Sequence, residues 1–290
     1  MKSINKTMIE HAIKIAYAVK ADSLLVCVDI TRDIAAIAEE MKKPIGVIIV
    51  TREDEELSED IKKFAKKLDV PNVNLTRVGK IKIAVAKGIV LGFFKRGDKI
   101  VCLSGVPKFG YADSIIVIDV GKEFEILTSD FISDVIENVR PEVFNAVLNL
   151  ACELAAQGRE SKKIGTIFVL GDEEKVMQLS RQMIINPFLG YSEEQLNILN
   201  QELEETIKEL SAIDGAFIIK ENGVLVSAGR HLNAAIDSRD FPAGLGSRHI
   251  AAAGITNVTK AVAIVISESS GNVTVFKNGK LFVTIEKPVE

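Results

Sequence analysis

The sequence predicts an α/β protein of two units, a doubly wound parallel sheet domain followed by a domain with a mixed, largely antiparallel sheet flanked by helices. Three observations point there. The 290 residues exceed a single ordinary domain of about 100 to 200 residues. In the first half, four short β-branched runs alternate with amphipathic helical stretches, the order that builds parallel strands. In the second half, strand-like runs follow one another across turn dipeptides, which join antiparallel neighbours.

The chain opens with an amphipathic helix in which Met8, Ile9, Ala12, Ile13, Ala16 and Val19 share one face. Such a periodic segment reads as neither a signal peptide nor a membrane span, both of which need a continuous apolar run. The predicted strands of the first unit are 24–28, 45–50, 99–103 and 115–120. Thr31 or Asp33 is placed to cap a helix that runs through Met41 and stops at Pro44. The first domain is expected to close near residue 125, and a helical connector spans 126–140. Pro141 suits the first turn of the next helix, where no backbone N–H is lost.

From residue 141 to 290 the predicted strands are 164–170, 216–220, 223–228, 261–266, 273–276 and 280–285. Glu221-Asn222-Gly223 and Asn278-Gly279 tolerate positive φ and predict hairpins. Between the predicted strands 164–170 and 216–220, Ser192 and Gln195 stand at capping-box spacing. The same stretch would place Leu196, Leu199, Leu203, Ile207 and Leu210 on one helical face.

A formal net charge of −4 and a pI near 5.6 deny the molecule the basic footprint of non-specific nucleic-acid binding. Cys27, Cys102 and Cys152 are odd in number, widely separated and set in apolar runs, which suits buried thiols in a reducing cytoplasm. Glycine-rich dinucleotide and P-loop patterns are absent, as are His-Glu-x-x-His and Cys-x-x-Cys. A nucleotide site here must be built another way.

Two segments carry candidate chemistry. Asp214-Gly215-Ala216 puts a carboxylate beside two small residues at a strand mouth, where an anionic ligand and its cation can approach the backbone. Further on, Gly244-Leu245-Gly246-Ser247-Arg248-His249 leads into Ile250-Ala251-Ala252-Ala253-Gly254-Ile255. A glycine-containing loop thus feeds a helix N-terminus whose free N–H groups attract phosphate, and Ser, Arg and His add donors. Taken alone, each segment also reads as a turn or a capped helix start.

Together and in this order the two segments resemble the diadenylate cyclase (DAC) domain, whose signature is Asp-Gly-Ala followed by Gly-Ser/Thr-Arg-His-Arg. The resemblance extends from about residue 140 to 286. It includes Gln157-Gly158-Arg159-Glu160, Ile164-Gly165-Thr166-Ile167-Phe168-Val169, Gly171-Asp172, Asn186-Pro187-Phe188 and Ser267-Glu268-Ser269-Ser270-Gly271. One position departs: Ile250 stands where the motif has its second arginine. Arg230 or Arg239 is expected to supply the missing cation. The first unit resembles the α/β C-terminal domain of pyruvate kinase, chiefly in Gly97-Asp98-Lys99-Ile100-Val101-Cys102-Leu103-Ser104-Gly105. That pairing of domains resembles the archaeal-type branch of the cyclase family.

The resemblance implies condensation of two ATP into cyclic di-AMP with release of two pyrophosphates. It makes Asp214, Arg248 and His249 the catalytic candidates, with Asp214 holding Mn2+ or Mg2+. Gly215, Ala216, Leu232, Gly246, Ser247, Arg248, His249 and Glu268 become the nucleotide-binding candidates, Leu232 facing the adenine through its backbone. It also implies a homo-oligomer that apposes two sites, with the first unit in a regulatory or assembly role. No membrane or nucleic-acid partner is expected. The alternative is an adenine-nucleotide sensor with weak or no turnover.

Overall fold

A computed structural model describes residues 2–27, 35–41, 44–52, 55–106, 109–121, 138–158, 163–234 and 245–288. Val28, Thr31, Asp33, the connector up to residue 137, Arg159, Glu160, Arg239 and Gly244 lie outside the described residues. The chain divides into two compact units, Met1–Ser129 and Asp130–Glu290.

The first unit is a five-stranded sheet in the order β3-β2-β1-β4-β5, formed by β1 (Ser23–Cys27), β2 (Gly46–Arg52), β3 (Ala65–Val70), β4 (Lys99–Ser104) and β5 (Ser114–Asp119). β1, β2, β3 and β4 pair in parallel. β5 is antiparallel to β4, because residues 105–113 are too short a link for the crossover that a parallel neighbour requires. The unit is therefore parallel-rich, with one reversed edge strand. Helix α1 (Lys2–Val19) packs on β1 and β4, and it buries Ile9, Ala12, Ile13 and Ala16 as its periodicity predicts. Helices α2 (Ala35–Glu40), α3 (Glu59–Lys62) and α4 (Arg77–Val90) lie between the strands in sequence. All three cysteines are buried and none forms a disulfide.

The second unit holds a seven-stranded sheet in the order β12-β11-β10-β6-β8-β9-β7. Its strands are β6 (Ile167–Leu170), β7 (Ser180–Gln182), β8 (Ala216–Ile219), β9 (Leu225–Leu232), β10 (Val262–Ile266), β11 (Val273–Lys277) and β12 (Lys280–Ile285). Among the described residues of this sheet only β6 and β8 pair in parallel, and the other junctions are antiparallel. Gly223 (φ 96°) turns the chain between β8 and β9, and Asn278-Gly279 (φ 50° and 73°) turns it between β11 and β12. Helices α5 (Pro141–Gln157), α6 (Glu173–Gln178), α7 (Gln201–Leu210) and α8 (Ser247–Val258) complete the unit, with Pro141 at the start of α5.

Alternation along the strands separates two packing faces. Ile167 and Val169 of β6 and Ala263 and Val265 of β10 pack with Ala252, Ala253 and Ile255 of α8. The small residues let this helix sit close to the sheet. Phe168 and Phe217 point the other way, their rings 5.1 Å apart.

The capping box at Ser192 and Gln195 forms, with Gln195 N–H on Ser192 Oγ and Ser192 N–H on Gln195 Oε1. It closes only one turn. Ile198 N–H reaches Gly223 O and Leu225 N–H reaches Leu196 O, so the β8–β9 hairpin holds this segment and α7 starts afresh at Gln201 under an Asn200 cap. Leu203 and Ile207 are buried as predicted, whereas Leu199 is exposed. Among the described residues no helix is long and apolar enough to cross a membrane.

Candidate active site

Three chain segments meet at one end of the second sheet. Asp214 and Gly215 lead into β8, Gly165 and Thr166 lead into β6, and Ser267–Ser269 follow β10. The β6–β8 pair is parallel, so both strands begin at this end; β10 is antiparallel to β6, so it finishes there. Ile266 N–H on Thr166 O (2.9 Å) and Thr166 Oγ on Gly215 O (3.4 Å) tie the three together. The N-terminus of α8 arrives beside them, opening at Gly246.

Arg248, in the first turn of α8, gathers these segments. Its Nη1 donates to Glu268 Oε2 and its Nη2 to Asp214 Oδ1, each at 3.0 Å. Two carboxylates 54 positions apart in sequence are thereby held by a single guanidinium, whose fork geometry suits two acceptors. The cluster is accessible: the Asp214 side chain is 76% exposed, that of Glu268 60% and that of Arg248 29%. Arg248 Nε is buried with no partner among the described residues.

Glycine at two positions makes the cluster possible. A Cβ on Gly165 would lie 2.7 Å from Glu268 Cβ and 2.9 Å from Arg248 Nη1, so any side chain there displaces the ion pair. Gly215 has φ 112°, and a Cβ on it would fall 2.7 Å from the Gly229 carbonyl carbon. Only glycine lets the residue after Asp214 lie against β9 in this way.

A cavity of about 650 Å3 opens beside Arg248, lined by Lys163, Gly246–His249 and Ile266–Ser269. Its floor is the start of α8, where backbone N–H groups and the helix dipole favour an anion. His249 is buried, with its ring edge-on to Phe276 at 6.0 Å and Nδ1 lacking a partner among the described residues. Burial pushes its pKa below the ordinary imidazole value, so the ring is neutral near pH 7 and offers one donor and one acceptor.

Of the sequence candidates, Gly246, Ser247, Arg248, His249 and Glu268 line this cavity. Asp214 adjoins it through Arg248, Gly215 accepts from the Thr166 hydroxyl, and Ala216 is buried at the start of β8. Leu232 ends β9 two residues beyond Arg230, the partner of Ala216, so it lies at the same end of the sheet; its side chain is in the core.

The expectation for Arg230 is corrected. It is buried in β9, donating from Nε to Ser180 Oγ (2.8 Å), from Nη1 to Gln182 Oε1 (3.0 Å) and from Nη2 to the carbonyls of Met177 and Ser180 (2.9 and 2.7 Å). Four of its five N–H donors are thus used within the fold, and this buried guanidinium staples β7 to β9 and is not among the residues that line the cavity. Lys163 went unread in the sequence. It sits directly before the β6 segment, and only the strand pairing brings it near a helix more than eighty residues on.

The donor set fits a hard divalent cation. Asp214 and Glu268 each have one carboxylate oxygen outside the Arg248 hydrogen bonds. No group of three or more His, Cys, Asp or Glu able to hold a metal occurs among the described residues. An ion here would need ligands from a bound phosphate and water, the habit of Mg2+ and Mn2+ at nucleotide sites.

Comparison with known proteins bears on both units. Residues 153–281 match the DAC family, described as DisA bacterial checkpoint controller nucleotide-binding. Residues 5–128 match DacZ_P, described as a probable sensor domain. A diadenylate cyclase from Methanocaldococcus jannaschii is 32% identical, the match covering 96% of this chain and 95% of that protein. One from Haloferax volcanii is 35% identical over 71% of this chain and 75% of its own length. Among solved structures, a pyruvate kinase from Cryptosporidium parvum aligns with 40% of this chain and 22% of its own at 15% identity, with a TM-score of 0.34.

Proposed function

This chain belongs to the diadenylate cyclase family, and we propose that it condenses two molecules of ATP into cyclic di-AMP, releasing two pyrophosphates. The observation that carries the proposal is Arg248 reaching both Asp214 and Glu268 beside a cavity of about 650 Å3 at a helix N-terminus. A carboxylate pair, an arginine and free backbone donors are what a triphosphate and its cation require. Phosphoryl transfer depends on positioning and charge neutralisation more than on covalent help from the protein.

In this reading Asp214 would hold Mg2+ or Mn2+ or orient the attacking 3′-hydroxyl, with Glu268 as a second acid. The ion, when bound, neutralises charge on the phosphates. Ser247 and the first N–H groups of α8 bind phosphate oxygens. Arg248 exchanges a carboxylate partner for the phosphoryl group under attack, stabilising charge that grows there. Neutral His249 presents a hydrogen-bonding ring at the cavity wall. Gly215 and Ala216 let the ribose approach the backbone, and the Leu232 main chain faces the adenine.

Each site holds one ATP, so ring closure needs two sites face to face across a two-fold axis. A monomer would bind ATP and fail to cyclise it. The first unit assembles or regulates the protomers; unchanged oligomeric state and turnover in a chain lacking residues 1–129 would refute that role. Three buried thiols that form no disulfide suit work in a reducing cytoplasm. The direct test incubates the purified protein with ATP and Mn2+ or Mg2+ and analyses the products by mass spectrometry. Cyclic di-AMP is expected; bound ATP without that product would leave a nucleotide sensor instead.

A further inference from the structure

Among the described residues, two cationic side chains line the cavity, Arg248 and Lys163. Their surroundings differ. Arg248 already faces Asp214 and Glu268, so that trio carries a net charge of about −1 before any ligand arrives. Lys163 is exposed, and its ammonium makes one hydrogen bond, to the carbonyl of Ser269 at 3.1 Å. It has no carboxylate partner among the described residues. An ammonium carries three donors, which leaves two available to a ligand that enters the cavity.

The position of that charge is set by the sheet. In the order β10-β6-β8, Asp214 stands at the head of β8, on one side of β6. Lys163 precedes β6 but reaches the other way, to the residues after β10. Arg248 lies between, with Nη2 on the Asp214 side and Nη1 on the Glu268 side. A triphosphate whose α-phosphate is held near Asp214 would extend its remaining phosphates past Arg248 toward Lys163.

Resting on the cyclase reading above, we propose that Lys163 is a substrate-binding residue that holds the β- and γ-phosphates of ATP, the portion released as pyrophosphate. It supplies in this chain the cation absent at Ile250 and not available from Arg230, which is buried and committed to β7. The bond broken in the reaction joins the α-phosphorus to the bridging oxygen of the β-phosphate. A positive charge on the leaving side stabilises the negative charge that collects there as this bond breaks.

The test compares two ligands that differ in those phosphates. The first is 3′-deoxy-ATP, which lacks the attacking hydroxyl and stays intact; the second is AMP. In the full-length Lys163→Ala variant, calorimetry should show the Kd for 3′-deoxy-ATP raised about 10- to 100-fold, the effect of a lost charge-assisted hydrogen bond. The Kd for AMP should stay unchanged, and Lys163→Arg should keep most of the affinity for 3′-deoxy-ATP. Because Lys163 is exposed, both variants are expected to melt with the parent. Unchanged affinity for 3′-deoxy-ATP, or equal weakening of both ligands, overturns the assignment. Failure of the cyclase reading shows separately, as no cyclic di-AMP from the unmodified chain, and leaves this ligand comparison readable.

Discussion

The sheet of the second unit opens a cavity at each end, about 650 Å3 beside Arg248 and about 400 Å3 beside Asp172. At the first end the N-terminus of α8 faces the cavity, and two cations accompany Glu268 and the adjoining Asp214. At the second, Asp172, Glu173, Glu174 and Glu221 outnumber Lys220 and Lys260. Lys220 is already paired with Glu193 at 2.6 Å, and Lys260, just beyond the C-terminus of α8, gives its backbone N–H to Asp172 at 2.7 Å. The helix dipole therefore favours anions at one end and disfavours them at the other, and the side chains reinforce that polarity. A polyanion is directed to a single end by the orientation of α8.

If that polarity determines where chemistry happens, removing charge at the first end should have the largest effect. Asp214→Asn and Arg248→Ala should each lower cyclic di-AMP formation about 100- to 1,000-fold. Circular dichroism and melting curves should show an intact fold, since neither side chain belongs to the core. A smaller loss, about 10- to 100-fold, is expected from Gly165→Ala, which adds no charge but pushes Glu268 and Arg248 apart. Full turnover in that variant would show that their close approach is irrelevant to catalysis. Smallest of all, Asp172→Ala should leave turnover at the parental level. It should cost about 1 kcal/mol in a denaturant titration, for the lost bond to the Lys260 N–H. A marked fall in activity there would erase the distinction between the two ends.

The parts of this architecture legible in the sequence are those whose causes are local. Asn222-Gly223 and Asn278-Gly279 announce hairpins because few residues accept positive φ, and both hairpins form. Pro141 marks a helix start for an equally local reason. Asp214 and the Ser247-Arg248-His249 run stand out for the same cause: each motif is contiguous. What joins them is not contiguous. Arg248 meets Asp214 across 34 positions and Glu268 across 20, and no periodicity encodes that meeting.

Strand β3 escaped notice because Ala65-Lys66-Lys67-Leu68-Asp69-Val70 lies at a sheet edge and buries only Leu68 and Val70. β7, three residues long, offers too little pattern to detect. Arg230 looked like a spare cation because a sequence shows charge and not satisfaction. Its four hydrogen bonds to Met177, Ser180 and Gln182 are contacts between strands, visible only once β7 pairs with β9.

The central position of β6 has a consequence for how this region can change over generations. Lys163, Gly165 and Thr166 reach their partners only because β6 is aligned at once with β10 and β8. Deleting one residue between Thr166 and Leu170 would turn Ile167 and Val169 away from α8 and displace Lys163 and Gly165 in the same stroke. Length in this short segment is therefore under tighter constraint than the identity of its apolar residues, which can be exchanged for others of similar bulk.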